Sequence, residues 1–138
     1  MTEISKMYKI VLIINMVACF AYGVLYGFLW WFWLPQIDNI VTPPFYAQFF
    51  GGFLMCSLIW FLRIILQKVP WDKVVLFIEF MMGILGVILL YLVWEILFVY
   101  GTMSPVARTN GIVSTTVVTT LLVTNIIAFF IETGKHKE

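Results

Sequence analysis

The sequence predicts an all-α polytopic membrane protein, with four transmembrane helices in one antiparallel bundle that makes residues 1–138 a single membrane domain. Two observations carry this. Four apolar segments, at about residues 8–34, 45–66, 74–100 and 111–131, leave nearly all charge between or beyond them. Each reaches the roughly 20 residues that an α-helix needs to cross about 30 Å of hydrocarbon. Hydrophobic residues make up 63% of the chain and charged residues 11%, against roughly 45–50% and about 25% in soluble proteins. A water-soluble domain of this size has no interior large enough to hide that much apolar surface.

The first segment follows Lys6 and Lys9 and ends in Trp30, Trp31 and Trp33, an aromatic belt at the headgroup level or the rim of a ligand mouth. It is too long for a cleavable signal and reads as a retained signal-anchor helix. Pro35, Pro43 and Pro44 bracket the first loop and restart the chain as the second segment. The third segment is expected to begin after Asp72 as its cap, with Trp71 anchored at the interface. Gly101–Pro105 ends it, and Asn110-Gly111 opens the fourth. Loops this short favour sequential antiparallel neighbours.

Sidedness follows from the lysines. Lys6, Lys9, Lys68, Lys73, Lys135 and Lys137 fall on one side, with Arg108 and Asp38 on the other. Positive residues collect in the cytoplasm, so the N and C termini and the second turn are expected to be cytoplasmic. The membrane is expected to be the cell membrane.

Polar residues inside a membrane are costly and therefore the best pointers to function. Arg63 and Glu79 fall at similar depth, about 8–9 Å inside a hairpin of the second and third helices. They are expected to pair; alternatively Arg63 snorkels, or Glu79 exchanges a proton or cation. Glu95 lies about 24 Å along the helix from Glu79 and about 160° around it, so the two form no dyad. Glu95 is an outer-side polar site that can meet Arg108, Thr102, water or a partner subunit. Gly23, Gly27, Gly51, Gly52, Gly83 and Gly86 mark close helix approach. Glu79, Gly83 and Gly86 share one face, expected to point into the protein. Thr116, Thr120 and Thr124, beside Asn125, form a polar track: hydroxyls bonded to their own helix, or the lining of a hydrated path. Asn15 and Asn125 are expected to bond between the first and fourth helices.

Other chemistry is excluded or weak. His136, the only histidine, lies in the tail, so no histidine pair can hold a haem and no cluster a metal. Cys19 and Cys56 lack Cys-x-x-Cys spacing and read as small fillers. A net charge of +1 argues against nucleic acid. No nucleotide or nucleophile motif is present. No catalytic residue and no metal ligand is assigned, no autonomous catalytic activity is expected, and no cofactor beyond a quinone or lipid is left open.

The stretch Pro43-Pro44-Phe45-Tyr46-Ala47-Gln48-Phe49-Phe50-Gly51-Gly52-Phe53-Leu54, preceded by Tyr22-Gly23 and a first helix ending in Trp and Pro, resembles the small four-helix membrane proteins related to DoxX. Gln48 departs from the arginine expected before the glycine pair. The resemblance, mainly over residues 22–54, implies the four-helix architecture and a quinone-linked redox component. The residues themselves favour an accessory or structural subunit of a larger membrane complex, such as an oxidoreductase assembly. The alternative is a small homo-oligomeric transporter coupled through Glu79. The expected partners are the lipid bilayer and other integral membrane subunits, or further copies of the chain.

Overall fold

A computed structural model describes residues 3–36 and 44–136. Five α-helices follow in order: α1 Lys6–Gly27, α2 Trp30–Gln36, α3 Pro44–Leu66, α4 Trp71–Phe98 and α5 Pro105–Lys135. A 3₁₀ turn, Tyr100–Thr102, precedes α5, and no strand occurs among the described residues. Four of the helices, α1, α3, α4 and α5, are long and apolar enough to cross a membrane. The molecule is an all-α, four-span integral membrane protein.

Three boundaries differ from those read in the sequence. The first apolar segment is two helices, because α1 stops at Gly27 and the amides of Phe28 and Leu29 both bond to Val24 O at 3.0 Å. The separate α2 then lays Leu34 against Ala47, with Tyr26, Trp30 and Trp33 around them. α4 starts three residues early: Pro70 stands at the cap position without a side-chain cap bond, and Asp72 lies within the first turn. There its charge favours the helix dipole instead of closing a cap. α5 starts at Pro105, because Ser104 accepts from Ala107 N at 3.2 Å and Pro105 fits the first helical position. Gly111 is thus inside a helix, under the ring of Tyr100. Asp38 and Lys137 lie outside the described residues.

Both described termini and the turn between α3 and α4 share one end of the bundle, hereafter the termini end. Lys68 makes that turn with φ 51°. Helix α1 is the hub. It packs along α3 and touches α5, while α5 in turn packs along α4. The α1–α3 crossing is close because glycines meet there: a Cβ on Gly51 would collide with the backbone of Gly27 and Tyr26, and one on Gly23 would lie 2.8 Å from Met55 Sδ. The α1–α5 contact holds the reciprocal amide pair expected for Asn15 and Asn125. Each Nδ2 donates to the other's Oδ1 at 2.9 Å, and each also donates to its own helix, at Val11 O (2.8 Å) and Leu121 O (2.7 Å). Such a pair in lipid is worth about 0.6–2 kcal/mol.

The core is concentrated at the termini end. Tyr8, Leu12, Phe61, Ile64, Val74, Ile78 and Ala128 are buried there. Along α4 the buried positions are Trp71, Val74, Ile78 and Met81, and none follows. Trp71, expected at the interface, is buried against Tyr8 (rings 5.1 Å apart, 83°) and Phe129 (5.5 Å). The cause is that α4 begins at Trp71 itself, so its ring turns under the bundle.

The two adjacent glycines of α3 therefore separate packing from propensity. Replacement Gly51→Ala is expected to lower stability by about 1–3 kcal/mol through overpacking at the backbone. Gly52→Ala, where nothing lies within 4 Å of a Cβ, is expected to be neutral or to stabilise by about 0.5–1 kcal/mol. Thermal unfolding of both variants in detergent, followed by circular dichroism, checks the contrast.

Candidate functional site

Polar chemistry gathers in two places: a closed cluster at the termini end, and the flanks of α4.

The closed cluster centres on Glu132, whose side chain has no exposed surface. It accepts from Ser5 N at 2.5 Å and from the Ser5 hydroxyl, while His136 Nε2 lies 3.2 Å away and Lys135 Nζ 3.9 Å away. Ser5 Oγ also accepts from Tyr8 N, 3.3 Å, and so caps α1. The ring of His136 stacks on Trp71 at 5.6 Å and 9°. The hydroxyls of Tyr8 and Thr133 are buried nearby without a hydrogen-bond partner among the described residues. Outside this cluster Glu3 bridges Lys68 (3.2 Å) and Lys9 (3.6 Å). The hydrogen bond from Lys68 holds the Glu3 carboxyl below the usual carboxylate range. A carboxyl lowered on folding contributes above its unfolded pKa, so this bridge is lost as pH falls through the folded value. Sequence reasoning missed Glu132 and placed His136 in a free tail. The available signal was the spacing of Glu132, Lys135 and His136 on one helix face.

The flanks of α4 differ from expectation. Arg63 and Glu79 do not pair. Arg63 Nε donates to Gln67 Oε1 at 3.0 Å, and its guanidinium lies 5.6 Å from the Trp60 ring centre. The reason is azimuth. Helix α4 meets α3 through Phe77, on Trp60 (5.9 Å) and Phe61 (5.4 Å), and through Met81, 4.0 Å from Ser57 Oγ. Glu79 stands two residues from each, about 200° around the helix. It is exposed, with no hydrogen bond or ion pair among the described residues. The Glu79, Gly83 and Gly86 face, expected to point inward, turns outward; a Cβ on either glycine would find nothing within 4 Å. Leu76 (78% exposed), Leu90 (72%) and Leu97 (69%) continue the same stripe.

Beyond the contacts at Phe77 and Met81, α3 and α4 part. Phe49, Phe50 and Phe53 of α3 and Phe80, Gly83 and Ile84 of α4 line an apolar cleft of about 580 Å³ that opens sideways. Phe50 abuts Tyr26 edge-on at 5.5 Å, and Tyr26 stacks on Tyr22. Glu95 is half-buried. It does not meet Arg108 or Thr102. Arg108 donates to Met103 O (3.0 Å) and Gly101 O (3.4 Å), and Thr102 donates to Val99 O (2.8 Å), so both are used by the loop that caps α5.

On α5 several threonines bond to their own helix. Thr115 donates to Gly111 O (2.7 Å), Thr116 to Ile112 O (2.9 Å) and Thr120 to Thr116 O (2.8 Å). With Ile96 they line a shallow groove of about 310 Å³ on the outside of the α4–α5 pair. Thr124 is half-buried on the same helix, one residue before the amide pair at Asn125. Among the described residues no group of histidine, cysteine or acidic side chains is placed to hold a metal. Cys19 is buried, Cys56 exposed, and both are free thiols.

Compared with protein-family models, curated proteins and solved structures, the chain finds no match.

The closed cluster makes a direct prediction. Glu132→Ala leaves the Ser5 amide and hydroxyl without their acceptor in a buried place, and is expected to cost about 1.5–3 kcal/mol. Faster amide hydrogen exchange over residues 5–12, with exchange around the Asn15–Asn125 contact less affected, is the expected readout.

Proposed function

We propose that the chain is an accessory subunit that packs, through the outward face of α4, against another integral membrane polypeptide. The observation that carries this reading is the position of Glu79. It stands about 12 Å into α4, on a helix face with no neighbour among the described residues, beside two glycines. A carboxylate facing lipid is expensive, whereas one facing a cationic or hydrogen-bonding group on a neighbouring helix is not. Asp72, Leu76, Glu79, Gly83, Gly86, Leu90, Val93 and Leu97 recur with the 3–4 spacing of a helix–helix seam. Small residues in such a seam let backbones approach.

Self-association through this face is disfavoured on charge. A two-fold axis along the membrane normal would set two Glu79 carboxylates side by side at one depth, where like charges repel. A different polypeptide, bearing a basic or donor group at that depth, fits better. The lysine distribution supports placing the termini end in the cytoplasm.

The transporter reading has less support, because Glu79 faces away from the bundle and the hydroxyls of Thr116 and Thr120 are spent on their own helix. The DoxX-like, quinone-linked reading rests on the stretch over residues 22–54. Within it Gly51 serves the crossing with α1, which is an architectural role.

Glu79→Gln and Gly86→Leu, each introduced into the chain in its native membrane, test the proposal. Both are expected to reduce the co-extracted partner at least fivefold while leaving the amount of folded chain unchanged. Unchanged recovery of all co-extracted polypeptides would contradict it.

A further inference from the structure

We infer that the cleft between α3 and α4, together with Glu95, is a binding site for an organic cation with an apolar body. This goes beyond the subunit reading and uses a neighbouring flank of α4, which meets the partner-facing seam at Gly83.

The cleft has a floor and walls, and a carboxylate stands on the same face of α4 beyond it. Phe77 on Trp60 and Phe61 closes it toward the termini end, where Ser57 and Met81 also touch. Its lining is wholly apolar, and its volume of about 580 Å³ falls within the roughly 300–1,000 Å³ of small-molecule sites. A transmembrane helix, about 10–12 Å across, would exhaust that volume in under about two turns. The occupant is therefore a small apolar body.

The charge of that body follows from Glu95. Ile84, Ile88 and Glu95 stand within about 40° of one another around α4, with Glu95 about 10 Å beyond Ile88 along the axis. Glu95 thus stands on the helix face that lines the cleft, beyond Ile88. It is half-buried, with no hydrogen bond or ion pair among the described residues, since Arg108 is held by Met103 and Gly101. Tyr26 abuts Phe50 of the lining edge-on at 5.5 Å. An anionic group beyond an aromatic-lined cleft selects a cation by charge, and the phenylalanine rings of the lining add cation–π attraction. A cation too strongly hydrated to leave water would not follow an apolar cleft into the membrane, so the ligand couples the charge to a large apolar surface.

Radiolabelled tetraphenylphosphonium, titrated onto the full-length chain in lipid nanodiscs, tests the inference. Saturable binding above protein-free discs is expected. Glu95→Gln is expected to weaken it at least tenfold. Ile88→Trp, which places a larger side chain in the cleft that Ile88 lines, is expected to weaken it with Glu95 intact. Glu79→Gln is expected to leave it unchanged, which separates this site from the partner-facing flank. The inference is overturned by non-saturable binding, or by Glu95→Gln binding as the wild type does. It is equally overturned if Glu79→Gln alone abolishes binding, or if native mass spectrometry finds a zwitterionic phospholipid that the cation does not displace.

Discussion

A carboxylate with no exposed surface has to be answered by donors, since a buried charge without partners costs several kcal/mol. Glu132 is answered by the amide and hydroxyl of Ser5, by His136 and by Lys135. Because the same hydroxyl caps α1, the bonds that satisfy Glu132 also fix where α1 begins. That in turn sets Tyr8 against Trp71, and Trp71 is the first residue of α4. One hydrogen-bonded group thus registers the start of α1, the start of α4 and the end of α5. Glu3 adds α3's terminal turn through Lys68. The bundle is tied at the termini end and becomes looser away from it.

The looseness has a chemical consequence. The close glycine crossing holds α1 on α3, and α5 holds α4, but no comparable contact draws α3 and α4 together past Met81. Each flank of α4 is left with a carboxylate that finds no partner among the described residues. Glu79 looks outward along a seam of small and aliphatic residues, and Glu95 stands beyond Ile88 on the face that lines an apolar cleft. Two acidic groups on one helix therefore have separate environments, and separate partners are the economical explanation.

Much of the architecture was legible in the sequence, because spans depend on apolar length alone and the bilayer sets that length. The Asn15–Asn125 pair was legible for a related reason: two amides at matching depth in lipid have few other partners. Matching depth was insufficient for Arg63 and Glu79. Depth is read by counting residues, whereas azimuth depends on which face a helix presents, and Phe77 with Met81 fixed that face. Trp71 and Glu132 were illegible for another reason. Both lie at segment ends, where composition suggests an interface, and only the fold reveals that α1's first turn covers them. The break after Gly27 was hidden by aromatic residues that continue the apolar run.

The central claim is that this chain completes itself only at the termini end and leaves α4 to another polypeptide. The mass and composition of the particle extracted gently from the native membrane test it most directly. The account predicts a larger particle in which the 16.0 kDa chain keeps a fixed ratio to at least one different membrane polypeptide. A homogeneous particle built from copies of this chain alone would contradict it.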